Sequence, residues 1–403
     1  MSVLNIREAV PEHRFSRFEL ISWWDQNRLR NARVLVIGAG ALGNEIVKNC
    51  ALLGIGNLVV ADMDRIENSN LTRSPLFRES DNGKYKAEIA CRSARELYPQ
   101  IRAQPFIGNV VHDLGLGVYF WADVILGGLD NREARVAINS AALFAGKPWI
   151  DGAIEVLDGV ARVFAPGPGP CYECTMNATD WKMLENRRSC ALLTRTQLNE
   201  GKVPTTPTTA SIISAVQMQE AIKLLHGMET LSGKGFVYHG LSAESYTVAY
   251  TRKPDCAAHE PHQDLRRLKA GVADMRVSDL LKIARAELGE GTVLQLGRDI
   301  LTALNCPACG TSEPVFRSLG KTTEAEGKCP QCGQMRAPEL THTLGLEPAP
   351  IDNMTFEQIG TPRFDVVTAR KGERSISYLF SGDAQAVLGE AWRESDVGKE
   401  IRV

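Results

Sequence analysis

The chain has 403 residues, 44% of them apolar, and a formal net charge of −2. That length and apolar content suit two to three domains with a sizeable core, whereas near-neutral charge argues against a broad nucleic-acid footprint. No run approaches the roughly 18 apolar residues of a membrane span, and the first residues lack an apolar signal core, so a cytoplasmic chain is expected. Ten cysteines, most of them in Cys-x-x-Cys or Cys-x-x-His spacings, then read as metal ligands rather than disulfides. Cys50 and Cys91 lie on helical patterns and read as buried apolar residues.

Residues 1–32 carry Trp23, Trp24 and Leu29 beside Arg14 and Arg17 and read as a helical arm ahead of the first strand. The apolar run 34–37 reads as a buried parallel strand. It opens into Gly38-x-Gly40-x-x-Gly43 at the start of a helix over 42–53, whose unpaired N–H groups and dipole favour phosphate. A second strand, 58–61, ends in Asp62, about 20 residues past the glycines, where an acid grips a ribose hydroxyl. NAD, FAD and ATP enzymes share this motif. The polar loop that follows, Asp62-Met-Asp64-Arg-Ile-Glu-Asn-Ser-Asn70-Leu-Thr-Arg73, departs from the helix that a dinucleotide dehydrogenase usually places there.

Lys84 and Lys86 open a helix that runs to about Leu97 and is stopped by Pro99. A buried strand, 123–127, leads to Gly128-Leu129-Asp130-Asn131 and a helix through Phe144. Asp130 then either faces the same crevice as Asp62 or caps the helix. Another strand, 149–152, follows. Gly320-Lys321-Thr322 has the tail of a P-loop but Val315 in place of its first glycine, and lies between cysteine pairs rather than after a strand.

A strand over 159–165 ends in a Pro-Gly run and Cys171-x-x-Cys174, whose partner is read as Cys256-x-x-His259, with His262 as a substitute ligand. A tetrahedral Cys₃His zinc site accommodates that set. Between the pairs lies a polar crossover, 175–207, with Arg187, Arg188 and Cys190. A helix over 209–226 follows, stopped by Gly227. Further on come a helix over 272–288 and a strand at 292–296. Cys306-x-x-Cys309 and Cys329-x-x-Cys332, with nineteen residues between the pairs, read as a Cys₄ zinc ribbon within 303–338. A hairpin is expected from 364–368 and 375–380 around Arg370-Lys-Gly-Glu.

The loop from Asp62 to Arg73 resembles the ThiF/MoeB/ubiquitin-activating-enzyme superfamily, whose signature has the form D-x-D-x-[IV]-x-x-S-N-L-x-R, with Ser74 in place of the usual following Gln. Gly83-Lys84-x-Lys86 resembles its G-K-x-K, and Arg14-Phe-Ser-Arg17 its R-[FY]-x-R-Q with Phe18 for the Gln. The resemblance covers about residues 14–260. It implies an α/β fold with a Rossmann-like, mostly parallel adenylation domain over 33–262; beyond it, the elements and ribbon read above are expected to form an α+β C-terminal domain over 263–403. It implies ATP at Gly38, Gly40, Gly43, Asp62, Asp64, Asn70 and Asn131, with Arg73 and Lys86 on the triphosphate, Asp130 on its Mg²⁺, and Arg17 reaching across a homodimer. It also implies that Cys190 takes the activated carboxylate of a ubiquitin-like protein. The expected function is activation of such a protein, a conjugating-type enzyme being the next partner, as in bacterial conjugation operons that can serve in phage defence. The alternative is a sulfur-carrier adenylyltransferase for molybdopterin or thiamine synthesis.

Overall fold

A computed structural model describes residues 12–189, 204–259, 264–346 and 349–393. The first part of the chain runs α1 (Gln26–Asn31), β1 (Arg33–Ile37), α2 (Ala41–Leu53), β2 (Asn57–Ala61), α3 (Lys86–Leu97), β3 (Arg102–Phe106), α4 (Leu116–Trp121), β4 (Val124–Gly127) and α5 (Arg132–Phe144). It continues through β5 (Trp149–Glu155), β6 (Asp158–Phe164), α6 (Tyr172–Thr175), α7 (Ala178–Ser189), α8 (Pro207–His226), β7 (Lys234–His239) and β8 (Glu244–Ala249). These strands form one sheet in the order β3-β2-β1-β4-β5-β6-β7-β8. The first five are parallel and the last three antiparallel additions. The unbroken apolar runs of β1 and β2 follow from burial on both faces.

Helices α2, α3 and α8 cover one face, against Val34, Val36, Leu58 and Val60. The other face, lined by Leu35, Ile37, Val59 and Ala61, meets α4 and α5. Because α4 has only six residues, part of that face is left over, and Phe364, Val366, Leu388 and Ala391 from far along the chain fill it.

The second part runs β9 (Asp264–Leu268), α9 (Val277–Leu288), β10 (Val293–Asn305), β11 (Ser312–Ser318), α10 (Glu324–Gly327), β12 (Ala337–Leu344), β13 (Val366–Lys371), β14 (Arg374–Phe380) and α11 (Ala384–Leu388). Its sheet has the order β11-β10-β13-β14-β9, with β12 also on β10. The pairings are antiparallel except for β14 with β9. The expected hairpin is present as β13–β14, tightened to a two-residue turn where Gly372 takes φ +58°.

Four expectations are revised. The arm is not a continuous helix but a 3-10 turn, Phe18–Leu20, and the short α1. The crossover begins as the helix α7, whose sequence lacks an apolar stripe; it is held by docking instead, with Leu184 buried and Trp181 half-buried against the second core. The strand at 292–296 is the start of a thirteen-residue strand, β10, bent by a bulge between Leu301 and Ala303. The helix over 272–288 starts only at Val277, after a turn in which the Asp274 N–H donates to the Gly271 carbonyl.

Candidate functional site

The carboxyl ends of β1, β2 and β4 lie side by side, since Ile37 pairs with both Ala61 and Gly127. The next residues of each strand therefore gather at one crevice: Gly38, Asp62 and Gly128. Gly38 takes φ +90°, and a Cβ on it would sit 2.5 Å from the Gly128 carbonyl oxygen; a Cβ on Gly43 would sit 1.8 Å from that of Gly38. Both positions admit only glycine. A Cβ on Gly40 would meet open space, on the side a phosphate would occupy at the N-terminus of α2.

Asp62 is held rigidly: its Oδ2 accepts the Ala39 N–H at 2.7 Å and its Oδ1 the Asp64 N–H at 2.7 Å. Burial pushes its carboxyl above the usual range, opposed by the Lys86 charge and the Ala39 N–H. Lys86 pairs with Asp64 at 2.8 Å and its N–H donates to the Asp64 carbonyl at 2.9 Å. The bridge between Arg65 and Tyr85 brings the two segments together. Asn70 serves the loop itself, accepting the Glu67 N–H at 2.9 Å, while half-buried Arg73 donates to the Ser69 carbonyl at 2.8 Å.

Asp130 is exposed at the end of β4 and does not cap α5. That role belongs to Asn131, whose side chain accepts the Ala134 N–H at 2.8 Å. The capping alternative for Asp130 is therefore removed, and the structure assigns Asn131 a bond that sequence alone did not suggest.

Arg17 is exposed, with no side-chain partner among the described residues. The arm around it packs far from its own glycine turn. A Cβ on Gly54, just past α2, would meet the Phe15 ring; Arg14 donates to the Leu97 carbonyl at the end of α3; and the Asp25 N–H donates to His226 at the end of α8. The thirteen residues of α2 separate this region from the glycines by about 20 Å.

The structure adds polar groups that sequence reading missed. Asp151, fully buried on β5, is gripped by Arg135 at 2.9 Å and by Arg162 at 3.0 Å. Gln217 of α8 donates to the Gly127 carbonyl at 2.8 Å and the Ile150 carbonyl at 3.2 Å, tying β4 to β5 just below Asp130. Asp81 accepts from Lys84 at 3.1 Å and Arg92 at 3.0 Å, so Lys84 serves the fold. Burial opposes its ionisation, but these cations and the Arg78 N–H outweigh burial and hold the carboxyl below its ordinary range. The available signal for Asp151, Arg162 and Gln217 was a polar residue standing among apolar ones, whereas Asp81 lies in a polar stretch and carried no such signal.

Two metal-ligand clusters are assembled. Cys171, Cys174, Cys256 and His259 converge, with sulfur separations of 3.8 and 3.7 Å and Cys174 Sγ 3.3 Å from His259 Nε2. Cys306, Cys309, Cys329 and Cys332 form the second, with separations of 3.5 and 3.6 Å. A tetrahedral zinc with Zn–S of about 2.3 Å requires sulfurs about 3.8 Å apart, so both donor sets fit that ion. The first cluster joins the chain beyond β8 to α6, at the entry to the crossover. Cys190 and His262 lie outside the described residues; α7 ends at Ser189, one residue before the cysteine.

A Rossmann-like sheet with a glycine turn, a paired Lys86 and an exposed acid at one crevice defines a nucleotide-binding α/β protein. The chain belongs to the ThiF family, whose model matches residues 13–258. It is 33% identical over 242 residues to the SAMP-activating enzyme E1 of Haloferax volcanii, covering 57% of this chain and 81% of that protein. It is 30% identical over 246 residues to the sulfur carrier protein adenylyltransferase of Thermus thermophilus, covering 59% and 86%. Over 157 residues it is 42% identical to the NEDD8-activating enzyme E1 catalytic subunit of Arabidopsis thaliana, but spans only 34% of that protein and 36% of itself. A solved structure of E. coli MccB with ATP superposes with a TM-score of 0.52 at 23% identity, covering 62% of this chain and 75% of that one, a likeness of fold.

Proposed function

We propose that this chain is an ATP-dependent activating enzyme for a ubiquitin-like protein. The observation that carries the reading is that a glycine turn, Asp62 with Lys86 beside it, and exposed Asp130 follow the carboxyl ends of the neighbouring strands β1, β2 and β4. In the first step a carboxylate oxygen of the ubiquitin-like C-terminus attacks the α-phosphorus of ATP. The bond to the bridging oxygen breaks, and pyrophosphate leaves with the electron pair, giving an acyl-adenylate. Arg73 and Lys86 offset the charge of this step. Mg²⁺, when bound, neutralises the leaving pyrophosphate. Asp130 would be the hard oxygen donor that holds it, and Gly38, Gly40, Gly43, Asp62 and Asp64 would shape the nucleotide cradle.

In the second step the Cys190 thiolate attacks the acyl carbon and AMP departs, leaving a thioester for a conjugating-type enzyme. Arg187 and Arg188, adjacent in sequence, favour the thiolate. The active form in this reading is a cytoplasmic homodimer in which Arg17 serves its partner's nucleotide, and both cysteine clusters carry structural zinc. A setting in a bacterial conjugation operon with a role in phage defence fits the same reading.

The likeness to the Thermus thermophilus sulfur carrier protein adenylyltransferase favours a second reading, in which adenylation of a sulfur carrier is the whole activity. ATP–pyrophosphate exchange dependent on a purified ubiquitin-like protein tests the first step of both; absence of exchange with every such protein sinks them together. Cys190→Ala separates them. Under the first reading it keeps exchange and loses a reductant-sensitive adduct that the wild type forms; a wild type that forms no such adduct leaves the second reading standing.

A further inference from the structure

Asn44 lies one residue past the third glycine, fully buried in the first turn of α2. Its Nδ2 donates to the Ala39 carbonyl at 2.7 Å and the Gly40 carbonyl at 3.2 Å, and its Oδ1 accepts the Leu76 N–H at 3.0 Å. Asparagine is a poor interior helix residue because its side chain competes for nearby backbone groups. Here that competition is aimed at two loops.

A trans peptide holds its C=O and N–H on opposite sides. Drawing the Ala39 carbonyl inward onto Asn44 therefore turns the Gly40 N–H outward. The Gly40 carbonyl, held by both the Asn44 N–H at 2.8 Å and Nδ2, turns the Ala41 N–H outward in the same way. Neither N–H has a partner among the described residues. The other side of Ala39 is fixed as well, since its N–H donates to Asp62.

The far end of the amide reaches the segment that follows Arg73. Leu76 is three residues beyond that arginine, and its carbonyl also accepts the Ser93 hydroxyl at 2.9 Å, so its backbone is clamped on both sides. We infer that Asn44 is a positioning residue that sets the spacing between the outward N–H groups of the glycine turn and Arg73, and through them the grip on the triphosphate. The inference rests on the ATP reading above.

Pyrophosphate exchange is measured with ATP and the carrier protein varied in turn. For Asn44→Leu the KM for ATP should rise about tenfold or more, the loss of roughly one such hydrogen-bonded clamp, while the KM for the carrier stays unchanged. Asn44→Asp keeps the acceptor for Leu76 but sets a carboxylate oxygen against two carbonyls, and should lose at least as much. Asn44→Ser, whose hydroxyl can donate to the carbonyl four residues back, should recover part of the ATP affinity. A merely structural role would lower the melting temperature and the active fraction without moving the KM for ATP. An unchanged KM for ATP in folded Asn44→Ser and Asn44→Asp overturns the inference alone, and these two variants decide it if Asn44→Leu does not fold. A wild type with neither exchange nor stabilisation by ATP overturns the ATP reading and this inference with it.

Discussion

At the scale of single residues, the proposed site rests on Asp130, Lys86 and Asp64. Asp130 has no cap to serve, because Asn131 has taken that role. Asp130→Ala is expected to leave the melting temperature unchanged and to abolish pyrophosphate exchange; near-normal exchange would take Asp130 out of the chemistry. Lys86 is braced by Asp64, so Asp64→Asn should weaken ATP binding by loosening the lysine, and Lys86→Ala should weaken it further. Asp81 acts on the fold instead. Its carboxyl is held below the ordinary value by Lys84, Arg92 and the Arg78 N–H against the cost of burial. Such a depressed group stabilises the chain fully above the unfolded value of about 4, and the contribution is lost as pH falls through the folded value. Asp81→Asn should therefore cost on the order of 1–3 kcal/mol at neutral pH and flatten the stability–pH curve on its acidic side. Equal acid sensitivity of wild type and variant, measured by denaturant melts, would contradict this.

At the scale of elements, legibility in the sequence tracked whether an element's pattern is local. β1, β2, α2 and α8 carry their own signals: apolar runs buried on both faces, a glycine turn, and Gly54 and Gly227 in the left-handed conformation at the helix ends. The candidate site residues attached to them, Gly38, Gly40, Gly43 and Asp62, could be named for the same reason. Strand β3 was not, because Arg102, Gln104 and Pro105 are tolerated only at a sheet edge. Nor was α7, whose helix depends on the Arg132–Asp180 ion pair and on Trp181 and Leu184 docking elsewhere. Asn44, Asp151 and Gln217 escaped notice because buried polar residues are explained only by partners distant in the chain. The two cysteine clusters join elements in the same manner. Metal analysis should find two zinc ions per chain, and Cys256→Ser should remove one of them while loosening the entry to α7, read as faster proteolysis near residues 176–178. Retention of two ions in that variant would dissolve the Cys256 pairing.

At the scale of the whole molecule, the chain's later part is joined to the first sheet unevenly. The ribbon touches it through the Lys321–Asp113 pair, a surface bridge worth at most about 1 kcal/mol, and Asn305 of β10 lies opposite Ala337 of β12. Replacing 306–336 with a two-residue Asn-Gly turn should therefore keep exchange while removing one metal; loss of exchange in a folded product would give the ribbon a part in the chemistry. Mixing Arg17→Ala with Asp130→Ala chains should restore activity if Arg17 acts across a dimer, since its own glycine turn lies a full helix away; no recovery would exclude that role. Phe364 is the opposite case, because it packs where Gly117 lacks a side chain, and Phe364→Ala should cost about 3–5 kcal/mol. The contacts that tie this late segment to the first part of the chain span great lengths: Leu116 bonds Asp365 across 249 positions, and Arg393 reaches Asn31 across 362. A polypeptide emerging from the ribosome thus makes its glycine turn early but cannot seal the sheet behind it until residues near 391 are free. Until then the half-built protein leaves open the apolar face that Phe364, Val366, Leu388 and Ala391 later cover, a surface on which chaperones can act.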